Sequence, residues 1–291
     1  MRNFLDPADL FFKSLAEDAW LNEIKDYSPS AWIGHAPFLR YLIREEKPRL
    51  FVELGTHYGL SYFVACQTIQ ELSLDTLAVA IDHWQGDQHA SFYDDSVYES
   101  VKLLNQQYES FSKLLKTSFM DGRSMIHDEI DLLHIDGLHT YEAVKEDFES
   151  WLPKMSANGI VLLHDIHVRR EDFGVFKLWA EIQKNYKTLE FTGSHGLGVV
   201  FLGQCRSKNM ALLRNYYDSG HQLQLHGVFG SHADIAIQNF RIQLSDQADL
   251  LIREHDSGLV RNNSKRPTVL CTLLLKKIRR IAKLTLRFGH K

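Results

Sequence analysis

The middle of the chain alternates between short continuous apolar runs and longer stretches with apolar residues at helical spacing. The apolar runs predict strands at residues 49–54, 77–81, 131–135 and 160–163, with two further strands at 112–115 and 197–202. The helical spacing predicts helices at residues 60–72, 96–108, 141–152 and 173–186. Continuous apolar strands that alternate with helices are typical of an α/β fold with a parallel sheet covered on both faces.

The flanking regions predict a four-part organisation of the chain. Residues 1–48 are predicted to form a helical N-terminal cover, and residues 49–204 the α/β domain. Residues 205–260 predict a helical extension, and residues 261–291 a basic amphipathic tail. From Lys265 to Lys291 the tail holds nine Lys or Arg side chains and no Asp or Glu, within a chain of 33 basic and 37 acidic residues.

Charge and composition narrow the class of protein. The residues before the tail carry an excess of acidic side chains, which disfavours nucleic acid as the main substrate because phosphates would be repelled. No apolar run approaches the roughly 20 residues that a membrane span needs. Three separated cysteines predict no disulfide framework, and the first 21 residues do not resemble a secretory leader, so we expect a cytoplasmic protein.

Acidic side chains close four of the predicted strands, at Glu53, Asp82, Asp136 and Asp165. Ligands of doubly wound sheets bind beyond the carboxyl ends of the strands, where a carboxylate is costly unless it meets a partner. We therefore expect these four side chains to line one pocket.

A glycine-containing segment follows the first strand. Its spacing, E-x-G-x-x-x-G, differs from the dinucleotide fingerprint and from the phosphate loop. Gly55 and Gly59 allow close approach of a ligand, and the acidic residue ahead of them suits a cationic group such as an amino-acid ammonium. The predicted cofactor-binding residues in this segment are Glu53, Gly55, Thr56, Gly59 and Ser61.

The end of the second strand predicts a nucleoside site. Asp82 is placed to accept the hydroxyl protons of a ribose, and Trp84, after His83, to cover an adenine face. A ligand that joins adenosine to an amino acid is S-adenosyl-L-methionine. A helix-capping Asp82 beside a buried Trp84 is the structural alternative.

Five long segments carry a family resemblance: ELGTHYGLSYF (53–63), IDHWQGDQHASFY (81–93), IDLLHIDGLHTYEAVKEDFESWLPKMS (130–156), VLLHDIHVRREDFGVFKLW (161–179) and HGLGVVFLG (195–203). They resemble the class I S-adenosylmethionine-dependent methyltransferases, and more narrowly a bacterial group associated with glycosyltransferases. The resemblance implies a Rossmann-like, doubly wound, seven-stranded sheet, mostly parallel with an antiparallel last strand. It also implies an O-methyltransferase that acts on a sugar hydroxyl of a surface glycan or its precursor.

Two catalytic interpretations remain open at the ends of the fourth and fifth strands. In one, a divalent metal (Mg²⁺ or Mn²⁺) is held by Asp136, His164 and Asp165 and lowers the pKa of the acceptor hydroxyl. In the other, His139 or His164 acts as general base without a metal. The predicted catalytic residues are His139, Asp136 and His164.

The basic tail suggests where the protein acts. A cationic amphipathic helix suits the inner membrane face or a glycosyltransferase partner, while contact with another subunit in a homo-oligomer is the alternative. A non-catalytic scaffold that docks a glycosyltransferase, and a nucleotide-sugar enzyme of other chemistry, remain alternative functions.

Overall fold

The protein is described by a computed structural model that covers residues 6–28, 30–170 and 172–256. The chain divides into two compact units, Met1–Ala236 and Ile237–Lys291. The first unit contains the sheet and its helices, and the described part of the second continues the last helix to residue 256. The predicted tail at 261–291 lies outside the described residues. No helix within the described ranges is long and apolar enough to span a membrane.

Seven strands form one sheet in the order β3-β2-β1-β4-β5-β7-β6. The strands are β1 (Leu50–Leu54), β2 (Leu77–Asp82), β3 (Ser112–Lys116), β4 (Ile130–Ile135), β5 (Met155–His164), β6 (Lys187–Phe191) and β7 (Leu197–Phe201). The strands β1 to β5 pair in parallel, whereas β7 runs antiparallel to both β5 and β6. The predicted fold class, including the antiparallel last strand, is confirmed.

Helices alternate with the strands and cover the sheet. They are α1 (Pro7–Ala16), α2 (Ala36–Glu46), α3 (Leu60–Glu71), α4 (Ser96–Asn105), α5 (Phe119–Met125), α6 (Tyr141–Trp151), α7 (Val175–Asn185), α8 (Lys208–Asp218) and α9 (Gln222–Asp256). Every residue of β1 and of β4 is buried, which explains why these strands appear in the sequence as continuous apolar runs. The strand β6 and the helix α5 were not predicted.

The described part of the predicted N-terminal cover contains helices and contacts the sheet through buried polar groups. Arg40 of α2 is fully buried and forms an ion pair with Glu71 of α3, with 2.8 Å between the charged atoms. Trp32, in a short 3₁₀ helix at Ala31–His35, donates its indole N–H to Nε2 of His134 at 3.0 Å. The cover therefore reaches the central strand β4.

Candidate functional site

The carboxyl ends of β1, β2, β4 and β5 open into one cavity of about 530 Å³. Parallel strands bring their carboxyl ends to the same edge, which is why residues far apart in sequence meet there. Ten of the predicted site residues line this cavity: Gly55, Thr56, Gly59, Ser61, Asp82, His83, Asp136, His139, His164 and Asp165.

The glycine segment lies at the centre of this edge. Gly55 has φ +85°, and a Cβ there would lie 2.2 Å from the carbonyl oxygen of Asp136, so the backbones after β1 and β4 approach closely. Gly59, with φ +84°, precedes α3, and no side chain caps the start of that helix. Unpaired backbone N–H groups at a helix start favour an anionic group, such as the carboxylate of an amino acid.

Asp82 fixes the shape of the glycine segment. One of its carboxylate oxygens accepts hydrogen bonds from the backbone N–H groups of Thr56 and His57, both at 2.9 Å. The other oxygen accepts from the backbone N–H of Trp84 at 2.6 Å. A carboxylate has about four acceptor sites, so roughly one is left for a ligand hydroxyl. Asp82 is therefore both part of the cavity wall and the residue that orders the loop beside it.

Two predicted cofactor-binding residues lie outside the cavity lining. Glu53 is fully buried because both faces of β1 are covered. Its Oε2 lies 2.8 Å from Nδ1 of His134. Trp84 is also fully buried; its indole N–H donates to the carbonyl of His57 at 3.0 Å and its ring packs against Tyr98. Neither side chain lines the cavity, and Trp84 supports the loop after β1; a role of Glu53 and Trp84 in cofactor binding stays a prediction. His134 is itself a buried residue of the sheet.

Five side chains form what we call the acid–histidine cluster: Asp136, His139, His164, Asp165 and His195. His139 Nε2 lies 2.9 Å from an oxygen of Asp165 and 3.3 Å from an oxygen of Asp136. His164 Nδ1 lies 3.2 Å from Asp136, and its Nε2 lies 3.0 Å from the carbonyl oxygen of Ser194. His195 Nδ1 lies 3.0 Å from Asp165. The predicted catalytic residues are thus brought together.

Mutual attraction sets the charges of this cluster. Burial lowers the pKa of His139, but the carboxylates of Asp136 and Asp165 outweigh it and raise that pKa to about 10. At His164, burial is likewise outweighed by the same two carboxylates, and the pKa rises to about 9. The facing histidines hold the pKa of both carboxyl groups below their ordinary range despite burial. Both imidazoles are therefore in the protonated, positively charged form at neutral pH.

The arrangement of donor atoms changes the predicted metal ligands by one residue. Among the described residues, Asp136, His139 and Asp165 present ligand atoms that all lie within 4.8 Å of one another. Both ring nitrogens of His164 already face other partners, the carboxylate of Asp136 and the carbonyl of Ser194. His139 thus replaces His164 in the set that could hold a cation, and two carboxylates with one imidazole suit a divalent ion of the Mn²⁺ type.

The turn between β6 and β7 contributes to the site in a way that sequence reasoning missed. Ser194, His195 and Gly196 all have positive φ values, of 50°, 71° and 90°. His35 of the N-terminal cover also faces the carbonyl of Ser194, at 3.1 Å. Burial, and then the charge on His164, lower the pKa of His35 to about 3, so this imidazole is neutral. A Ser-His-Gly sequence in a short connection was the available signal.

The long loop after β2 closes one side of the cavity. Asp172 accepts a hydrogen bond from Gln88 at 2.8 Å and lies 2.6 Å from Nε2 of His89. The rings of His139 and Phe173 stack beside it, with centroids 4.8 Å apart. This loop thus contacts the loop that follows β5, next to the acid–histidine cluster.

Comparison with known proteins shows what the segment that carries this edge is similar to. Residues 52–166 match a family model described as a methyltransferase domain. An uncharacterized protein of Sinorhizobium fredii, y4gI, is 46% identical over 185 residues, which are 63% of this chain. The match covers 20% of that relative, so this chain spans about a fifth of the relative's length.

Solved structures with similar chains include two O-methyltransferases. One is TomG of Streptomyces achromogenes in complex with SAM, with 15% identity, coverage of 67% of this chain and 90% of TomG, and a TM-score of 0.45. The other is from Bacillus cereus in complex with SAH, with 16% identity, coverage of 68% of this chain and 93% of that chain, and a TM-score of 0.42.

Residues 52–166 are therefore similar to a methyltransferase domain, which agrees with the predicted enzyme class. The matched segment runs from β1 to just beyond β5 and includes the glycine segment, Asp82 and most of the acid–histidine cluster. Membership in the group associated with glycosyltransferases stays a prediction.

Proposed function

We propose that the protein transfers a methyl group from S-adenosylmethionine to a hydroxyl group, on a sugar of a surface glycan or its precursor. The observation that carries this proposal is the single cavity shared by the glycine segment, Asp82 and the acid–histidine cluster. Methyl transfer needs a methyl donor and an oxygen nucleophile in line, and a group that manages the hydroxyl proton. This cavity combines features suited to each requirement.

The cofactor would lie along the strand ends. Its amino-acid carboxylate suits the uncapped start of α3, next to Gly59. Its ribose suits the remaining acceptor site of Asp82. With these two groups fixed, the sulfonium and its methyl group would face Asp136 at the end of β4, close to the rest of the acid–histidine cluster.

The proton of the acceptor hydroxyl is the central chemical question. His139 and His164 are already protonated at neutral pH, so in this state neither imidazole accepts a further proton. A divalent cation held by Asp136, His139 and Asp165 would displace the proton from His139 and would lower the pKa of a coordinated hydroxyl. We therefore favour the metal interpretation over the unassisted imidazole base.

A hydroxyl-rich acceptor fits the chemistry of the cavity wall. Sugar hydroxyls both donate and accept hydrogen bonds, and the cluster offers carboxylates that accept and imidazoles that donate. The resemblance to the group associated with glycosyltransferases supports the same class of acceptor. A glycosyltransferase partner, or an anionic membrane surface bound by the basic tail at 261–291, would bring the enzyme to such acceptors.

Two measurements test this function. Calorimetry determines whether the wild-type protein binds S-adenosylhomocysteine. Transfer of labelled methyl from S-adenosylmethionine to nucleotide-activated sugars and lipid-linked glycan precursors is then measured with Mn²⁺, with Mg²⁺ and with a chelator. Asp165→Asn should abolish transfer, whereas Asp128→Asn, which makes the same change at an exposed position outside the cavity lining, should leave it unchanged.

The outcomes separate the alternatives. Cofactor binding without transfer to any acceptor would contradict the proposed catalysis and favour the scaffold that docks a glycosyltransferase. Transfer that persists after complete metal removal would refute a role of the cation, and a protein side chain would then have to accept the proton of the acceptor hydroxyl. The absence of cofactor binding would overturn the proposal altogether.

A further inference from the structure

One part of the cavity has a different character from the acid–histidine cluster. Between α5 and α6 its lining combines apolar side chains, Phe119, Leu138 and Ala143, with the acidic side chains of Glu146 and Asp147. A Cβ at Gly137 would lie 2.5 Å from the Phe119 ring and 3.4 Å from an oxygen of Asp147. The aromatic ring and this carboxyl group therefore meet at the same point of the backbone, which only glycine leaves open. We call this region the α5–α6 pocket.

Asp147 is the unusual member of the α5–α6 pocket. It lies on α6 and is half-buried, yet no hydrogen-bond donor or cation among the described residues contacts its carboxyl group. Burial, followed by the neighbouring charge of Glu146, raises its pKa to about 7. A carboxyl group that is partly removed from water without a partner is costly to keep there. A bound ligand that donates a hydrogen bond would supply the missing partner.

The proposed cofactor position determines which ligand group reaches this pocket. When the ribose lies at Asp82 and the sulfonium faces Asp136, the base extends from the far side of the ribose. The apolar walls of the α5–α6 pocket suit a flat purine, since binding pockets combine apolar surfaces with a few placed polar groups. Adenine carries a 6-amino group that donates hydrogen bonds at its edge.

We propose that Asp147 accepts a hydrogen bond from the 6-amino group of the cofactor's adenine and thereby selects adenosyl over other nucleosides. This inference rests on the proposed function, because it requires that the protein bind S-adenosylmethionine. It assigns a specificity-determining role to a residue of α6 that lies outside the strand-end segments of Asp82 and Asp136.

The test compares two ligands that differ at this edge of the base. S-inosylhomocysteine carries a 6-oxo group in place of the 6-amino group, so it presents an acceptor where S-adenosylhomocysteine presents a donor. Calorimetry should show that the wild-type protein prefers the adenosyl ligand by about tenfold or more, the worth of one hydrogen bond to a carboxylate. In Asp147→Asn, whose amide both donates and accepts, this ratio should fall close to one.

Glu142→Gln provides the matched control. It removes an equal charge from an exposed position of the same helix that does not line the cavity, and should keep the wild-type ratio. Thermal unfolding of each variant reports whether the fold is intact, and Asp147→Ala provides a second variant that also removes the preference. A wild-type ratio near one, or a ratio unchanged in Asp147→Asn and Asp147→Ala, overturns this inference while cofactor binding stands. Failure of the wild-type protein to bind S-adenosylhomocysteine refutes the proposed function instead.

Discussion

The backbones that follow β1 and β4 approach so closely at Gly55 that we expect even a single added methyl group there to destabilise the protein. Gly55→Ala places a Cβ 2.2 Å from the backbone carbonyl oxygen of Asp136, at a residue with φ +85°. A left-handed conformation costs an L-residue roughly 1–2 kcal/mol, and the stiffer unfolded chain returns about 0.4–1 kcal/mol. The contact with backbone that is fixed in the sheet adds roughly 1–3 kcal/mol. We expect a total destabilisation of about 2–4 kcal/mol.

Gly220→Ala isolates the conformational part of this cost. Gly220 has φ +101°, and a Cβ there meets nothing within 4 Å, so the variant should lose only about 0.5–1 kcal/mol. Urea unfolding followed by circular dichroism gives both values by linear extrapolation. Gly55→Ala should also weaken S-adenosylhomocysteine binding, because relief of the contact moves Asp136. Equal free energies of unfolding for the two variants, within about 0.5 kcal/mol, would refute the tight approach of the two strands.

Three further predictions follow from the described contacts. Glu53→Gln should lower the melting temperature but change S-adenosylhomocysteine affinity less than Asp82→Asn does, since Glu53 contacts His134 outside the cavity lining. If calorimetry shows the reverse order of affinities, Glu53 contacts the ligand directly. Asp131 is buried, which by itself would raise its pKa. Hydrogen bonds from Arg206 and from the Arg49 backbone outweigh burial and lower this pKa to about 2. The resulting stabilisation of the fold, about 2–3 kcal/mol, should be present above pH 4 and disappear as the pH falls towards 2. Urea midpoints of wild type and Asp131→Asn should therefore converge in acid, and a constant difference would contradict this. His139→Ala should weaken Mn²⁺ binding, followed by electron paramagnetic resonance, at least tenfold; unchanged binding would remove His139 from the ligand set.

The strands most readily predicted from the sequence are the buried ones, because burial on both faces produces a continuous run of apolar residues. The runs that became β1, β2 and β4 are apolar because helices cover the sheet on both sides. The strand β6 has exposed and partly buried residues in the pattern of a sheet edge, and its Lys-Thr-Leu-Glu-Phe sequence directly follows a helical stretch. The helix α5 is short and contains Gly122, which weakens any helical pattern.

The strand ends could be located from sequence, but the directions of their side chains could not. Glu53 sits in the right strand, yet its register with His134 across β1 and β4 turns it into the interior. His164 was predicted as a metal ligand because it lies at the end of the fifth strand, whereas His139 reaches the cluster through the loop after β4. Which of these two histidines is available depends on the carbonyl of Ser194, about 30 residues further along the chain, and no local pattern shows that contact.

The carbonyl of Ser194 links the two ends of the folded unit. It receives His35 from before the first strand and His164 from the fifth, and it belongs to a turn that forms only when the last two strands pair. During synthesis the N-terminal cover must therefore wait until nearly the whole sheet has emerged before its own histidine finds a partner. The sheet edge that carries the cavity should accordingly be among the last parts of this protein to reach its final arrangement, well after the central strands have paired.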